Sequence, residues 1–153
     1  MDVNITMVPE AVVTCRAESK AQVIAQVART FGAVYGFDEV AVLEGLEQRE
    51  SLGSTGFGRG VAIPHCRLDQ VRRPTMVLSR LDHPVEFGSA DAVPVTLVFG
   101  LVSPEGAGAT HLHALAAISR LARDEAMLHA LGDAPDAEAL FALLTNQFLR
   151  DAA

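Results

Sequence analysis

The chain has no tryptophan, one tyrosine and two cysteines among its 153 residues. Cys15 and Cys66 are too few to build the disulfide framework that holds small secreted domains together, and they suit a reducing compartment. Positive charge is also scarce. The 12 Lys and Arg are scattered among 19 Asp and Glu for a net charge of -7, which leaves no basic stripe to track a nucleic-acid backbone. Long hydrophobic runs are missing: the best, Ala92 to Val102, falls well short of the roughly 20 residues a membrane helix needs. The mixed start Met1 to Thr6, followed at once by Pro9-Glu10, lacks the basic n-region and apolar stretch of a signal peptide. No repeat and no low-complexity segment is present. These absences predict a cytoplasmic protein without membrane insertion or a nucleic-acid partner.

Apolar residues are plentiful. Half the chain is hydrophobic, enough for one sizeable core where two domains would each be small, so a single domain over residues 1–153 is expected. Ser19 is placed to cap a helix whose apolar positions Val23, Val27, Phe31 and Val34 recur at helical spacing, with Gly36 at its end. A second helix from Asp38 carries Val42, Leu43 and Leu46 inward and reaches Arg49. Val61 to Ile63, Thr75 to Leu81 and Val93 to Val102 read as strands, the last nearly uniformly apolar and so buried on both faces. Pro64 cannot donate to a ladder, which predicts that the chain breaks out of the sheet near His65. Three further helices follow, from a Thr110 cap to about Arg123, from Asp124 to Leu131 and from Asp136 through Phe148. Helices, then strands, then helices predict an α/β fold: a three-layer α/β/α sandwich with a mixed, mostly buried central sheet covered by helices on both faces.

Between the second helix and the first strand runs Arg49-Glu50-Ser51-Leu52-Gly53-Ser54-Thr55-Gly56-Phe57-Gly58-Arg59-Gly60-Val61-Ala62-Ile63-Pro64-His65. Gly53, Gly56, Gly58 and Gly60 allow positive φ and close backbone approach, the makings of an anion nest that would suit a phosphate. The run lacks the Gly-Lys-Ser/Thr of a nucleotide P-loop and the spacing of the dinucleotide fingerprint, which disfavours nucleotides. A phosphate beside His65 points to the imidazole as acceptor, since a neutral ring keeps a lone pair near neutral pH. The plainer alternative is a turn-rich loop with an incidental histidine.

On the helix that follows Thr110, His111 shares a face with Leu115, Ile118 and Ala122, while His113 lies almost opposite, near Ala117 and Arg120. His111 therefore points inward from the first turn, where helix N–H groups favour an anion and the imidazole can donate to it. A partly buried structural histidine is the alternative. His83, His113 and His129 read as surface residues.

Arg49-Glu50, Gly53-Ser54-Thr55-Gly56, Gly58, Gly60 and Ala62-Ile63-Pro64-His65, with Thr110-His111-Leu112-His113-Ala114-Leu115 and Arg120-Leu121-Ala122, resemble the two histidine segments of the fructose/mannitol-type enzyme IIA family. These are phosphocarriers of the bacterial phosphotransferase system, and the resemblance covers nearly the whole chain. It implies that His65 accepts a phosphoryl group, on Nε2, from a histidine-containing phosphocarrier protein. His111 would be the second active-site histidine and Arg49 would help hold the phosphoryl group. The loop would bind phosphate through Ser54, Thr55, Gly56, Gly58 and Gly60, the two hydroxyls acting either as donors or only as loop-shaping groups. No metal, nucleotide or other cofactor is required. Cys66 departs from the small residue, often glycine, that follows the histidine in the family, and reads as an inert small hydrophobe.

Thr-His-Leu-His-Ala-Leu is most similar to the nitrogen-regulatory branch, which implies control of regulatory partners, such as potassium transport or sensor proteins, by phosphorylation state. A sugar-specific IIA component that passes phosphate to a IIB domain shares the glycine motif and is the alternative. A metal site built from His65, Cys66, His111 and His113 is disfavoured because no Cys-x-x-Cys or His-x-x-x-His pair exists. A phosphate-independent binding module is the remaining reading.

Overall fold

The computed structural model describes residues 4–152. Strand β1 (Val12–Cys15) leads into helices α1 (Lys20–Tyr35) and α2 (Glu39–Ser51). Three short strands follow, β2 (Gly56–Gly58), β3 (Val61–Ala62) and β4 (His65–Leu68), then two long ones, β5 (Thr75–Val85) and β6 (Val95–Pro104). Helices α3 (Gly108–Ala122), α4 (Glu125–Asp133) and α5 (Ala137–Ala152) end the described chain. The strands form one mixed sheet in the order β1-β5-β6-β3-β2, with β4 also paired to β6. β1 runs parallel to β5, β5 antiparallel to β6, and β3 and β4 parallel to β6.

The apolar stretch Met76–Leu78 of β5 and the near-uniform apolarity of β6 have their reason in two cores. Val77, Val98 and Val102 point to one face, against Val23, Val27, Phe31, Val42 and Leu46 of α1 and α2. Met76, Leu78, Leu97, Phe99 and Leu101 point to the other, against Ile118, Leu121, Leu131, Leu140 and Leu144 of α3, α4 and α5. Alternation along a strand therefore exchanges one apolar neighbourhood for another, and the expected α/β/α sandwich is what forms. Gly100 permits the closest approach of α1, because a Cβ there would lie 2.6 Å from Val27 Cγ1 and 2.9 Å from Val77 Cγ2. Among the described residues no helix is long and apolar enough to cross a membrane.

Several caps follow the sequence. Ser19 accepts from the Gln22 N–H, Gly36 closes α1 in the left-handed region at φ 73°, and Asp38, Asp124 and Asp136 cap α2, α4 and α5. Thr110 does not cap α3: the helix starts at Gly108 with Ala107 as its N-cap, and Thr110 lies inside the first turn. The missed strands are β1, β2 and β4, each of four residues or fewer and too short to show a period.

The chain also does not leave the sheet at Pro64. β3 pairs Val61 with Leu97 and β4 pairs His65 with Leu101, the same register on the same neighbour, so the two are one strand line interrupted at Ile63-Pro64. Pro64 removes a donor only. Its carbonyl still accepts from the Leu101 N–H at 3.0 Å, and the line resumes at His65.

Candidate functional site

His65 opens β4 opposite Leu101, and two residues on Arg67 lies opposite Ser103. Period-two alternation puts His65, Arg67, Leu101 and Ser103 on the α3 face, and sends Cys66 to the α2 face. Cys66 packs against Gly45, and its Sγ lies 4.0 Å from the Val42 carbonyl. Burial pushes its thiol up to about 12, which holds it protonated and unreactive.

The His65 ring is half-buried and its Nδ1 lies 2.7 Å from the Ile63 carbonyl oxygen. A carbonyl can only accept, so Nδ1 carries the proton and Nε2 keeps the lone pair. The carbonyl is available because Ile63 faces away from β6: its N–H donates to the Thr55 carbonyl at 3.0 Å on the outer side. The outward-facing Ile63 carbonyl thus sets the tautomer of His65.

His111, only 4% exposed, reaches the same place from α3, with its ring centroid 5.6 Å from that of His65. Its backbone N–H is spent on the Ala107 carbonyl at 3.0 Å, so it presents its ring and not its amide. The buried face of α3 comprises Ala114, Ala117, Ile118, Leu121 and Ala122 as well as His111. That arc is displaced from the one read from sequence: Ala117 is core, and His111 sits at the arc's edge, where a side chain can face both sheet and solvent. Nδ1 of His111 lies 2.7 Å from Oγ of the fully buried Ser103. His83, His113 and His129 are exposed, as expected.

Two arginines bear on the pair. Arg49, in the last turn of α2, donates through Nη1 to the Gly53 carbonyl at 2.8 Å, which pins it across the start of the loop. Arg67 is exposed. Burial, foremost, and then the two guanidinium charges lower the His65 pKa, against the Ile63 carbonyl and Glu50, which raise it. Burial, then Arg67 and His65, push His111 down to about 4. Both rings are neutral at neutral pH, one with a free Nε2 lone pair, amid positive charge that favours an incoming dianion. Arg67 escaped the sequence reading because only the strand alternation of β4 places it beside His65.

Several N–H donors of the glycine run are already taken within the structure. Thr55 N–H donates to Glu50 Oε1 at 2.9 Å, Gly56 N–H to Ser54 Oγ at 3.0 Å and Arg59 N–H to Asp91 Oδ2 at 2.8 Å. Gly56 and Gly58 form β2, which pairs antiparallel with β3 through a two-residue turn at Arg59-Gly60, both with positive φ as in a type I′ hairpin. Gly56 is needed for close packing, since a Cβ there would fall 2.1 Å from Ser89 Oγ. The hydroxyls are likewise spent: Ser54 donates to the Phe87 carbonyl at 2.5 Å and Thr55 to Glu50 Oε2 at 2.5 Å. Both hydroxyls therefore make contacts internal to the protein that shape the loop.

Glu50, to which the sequence reading gave no role of its own, organises this region. Its side chain is 7% exposed and pairs with Lys20 Nζ at 2.7 Å, while Lys20 also donates to the Phe87 carbonyl at 3.2 Å. The metal alternative loses its geometry, because Cys66 and His65 point to opposite faces and His113 is outside. Among the described residues no three His, Cys, Asp or Glu side chains cluster as a metal site requires.

The family described as phosphoenolpyruvate-dependent sugar phosphotransferase system, EIIA 2, matches residues 7–147. A nitrogen regulatory protein of Bradyrhizobium diazoefficiens is 43% identical over 145 residues, 94% of this chain and 95% of that protein. Among solved structures, nitrogen regulatory protein IIA-Ntr from Neisseria meningitidis superposes with a TM-score of 0.83 at 31% identity, over 92% of this chain and 95% of that one. The Escherichia coli mannitol enzyme IIA, solved in complex with phosphorylated enzyme IIB, gives a TM-score of 0.79 at 19% identity over 94% and 99% of the two chains, a likeness of fold.

Proposed function

The chain belongs to the EIIA 2 family of the phosphoenolpyruvate-dependent sugar phosphotransferase system, and from that premise we propose that His65 carries a phosphoryl group on Nε2, taken from a histidine-containing phosphocarrier protein. The observation that carries this reading is the 2.7 Å bond from His65 Nδ1 to the Ile63 carbonyl, which leaves Nε2 unprotonated. The Nε2 lone pair attacks the donor's phosphorus in line. An N–P bond forms at His65 as the donor's N–P bond breaks, and the donor imidazole keeps that electron pair. The Nδ1 proton stays where it is, so the product ring is a phosphorylated imidazolium whose positive charge faces the Ile63 oxygen. Arg49 and Arg67 offset the phosphoryl charge, and His111 donates to one of its oxygens.

Similarity to nitrogen regulatory proteins over nearly the whole chain supports output by regulation. Partners such as potassium transport or sensor proteins would then distinguish the two states by the negative charge added to an already acidic chain. Incubation with phosphoenolpyruvate, enzyme I and the phosphocarrier should give one acid-labile, alkali-stable phosphate that is lost in His65→Ala. A wild-type chain left unmodified by several competent donors would overturn the reading.

A further inference from the structure

Strand β6 is apolar on both faces, and Ser103 is a fully buried hydroxyl near its end. Such a group is costly unless bonded, and its partner among the described residues is His111 Nδ1 at 2.7 Å. The bond can run either way in principle. If Nδ1–H donated to Ser103, the serine proton would be left buried without an acceptor. If Ser103 donates to the Nδ1 lone pair, both groups are satisfied. The second arrangement places the ring proton on Nε2. Among the described residues that nitrogen has no partner and Ser89 Oγ is the buried side-chain polar atom left unpaired, so Nε2 of His111 reaches the surface of the site.

We infer that Ser103 is a positioning residue: it holds His111 as the Nε2–H tautomer, the complement of His65, so that one ring offers a lone pair and the other a donor to the same phosphoryl group. The inference rests on the proposed phosphoryl transfer for its purpose, while the tautomer itself does not. The two rings are set by different partners for opposite tasks. His65 meets a backbone carbonyl that can only accept, and His111 meets a hydroxyl whose own proton has nowhere else to go.

Long-range proton–nitrogen correlation spectra of the nitrogen-15-labelled full chain at neutral pH test this in wild type, Ser103→Ala and Ser103→Thr, alongside the rate of transfer from the phosphorylated phosphocarrier. Wild type should show His111 protonated on Nε2 alone. Ser103→Ala should add an Nδ1-protonated population and slow transfer roughly tenfold, the loss expected for about one hydrogen bond. Ser103→Thr, which keeps the hydroxyl, should restore both. Wild-type His111 protonated on Nδ1, an unchanged tautomer in Ser103→Ala, or a shifted tautomer with undiminished transfer would each overturn the inference. A wild-type chain that accepts no phosphoryl group but shows the predicted tautomers overturns the proposed function and upholds the Ser103–His111 assignment.

Discussion

Glu50 accepts from both the backbone N–H and the hydroxyl of Thr55, at 2.9 and 2.5 Å. From there the contacts run on to the site: the Thr55 carbonyl accepts from Ile63 N–H, and the Ile63 carbonyl accepts from His65 Nδ1–H. The carboxylate at the end of α2 therefore fixes the segment that fixes the imidazole. Its charge is matched by Lys20, so a buried carboxylate is paired with a partly exposed ammonium and its remaining acceptor capacity is used by Thr55.

Removing the carboxylate should hurt more than removing its cation. Glu50→Ala leaves the Thr55 donors unpaired and Lys20 without its counter-charge and should cost about 3 kcal/mol, whereas Lys20→Met, at a side chain already a third exposed, should cost about 1 kcal/mol. Urea titrations of both variants check this. Equal losses would mean that the ion pair alone, and not the Thr55 anchor, carries the stability.

Gly45 and Cys66 should be coupled. Replacing a helix-interior glycine by alanine ordinarily stabilises by about 1 kcal/mol. A Cβ at Gly45, however, would lie 2.9 Å from both Cβ and Sγ of Cys66, so α2 and β4 must part. Gly45→Ala should destabilise by about 1–2 kcal/mol. In a double-mutant cycle with Cys66→Gly, which vacates that space, the coupling should be favourable by about 1 kcal/mol or more. Thermal or urea unfolding of the four proteins gives the cycle, and additive effects would refute the contact.

The layers, the long strands and most caps were legible because period and capping chemistry are local. Val23, Val27 and Phe31 repeat along α1, and β6 and the Met76–Leu78 stretch of β5 are apolar because both faces are covered. The two-histidine site was legible as residues but not as geometry. Pro64 read as an exit, yet a proline costs a strand only its donor, and the acceptor side kept the register. The glycines read as a phosphate nest, but the N–H groups of Thr55, Gly56 and Arg59 in that run are taken by Glu50, Ser54 and Asp91, pairings that show only in three dimensions. Ser103 and Arg67 belong to the site through cross-strand register, which no single segment carries.

Arg67 should act on the site through charge. It follows His65 by two positions on one strand face, and it lowers the pKa of both His65 and His111. Arg67→Gln should raise both. Since His65 must be neutral to attack, the acid limb of the pH–rate profile for phosphoryl transfer should move to higher pH, with a rate loss on the order of tenfold at neutral pH. A lower rate without a displaced limb would mean that Arg67 contacts the phosphocarrier and does not tune the imidazoles.

His111 should make the fold acid-sensitive above the range where carboxylates dominate. Folding lowers its pKa to about 4, while the unfolded chain titrates near the ordinary value of about 6.5. Between those values the unfolded state binds a proton that the folded state refuses, so stability rises with pH across that window. The contribution is complete above about pH 6.5 and is lost progressively as pH falls toward about 4, with a total on the order of 3 kcal/mol. His65, also lowered by burial, acts in the same direction. Urea midpoints measured across this range for wild type and His111→Asn isolate the effect, because the carboxylate background is common to both. The variant should show the shallower slope, and parallel curves would mean that the buried ring takes its proton without resisting it.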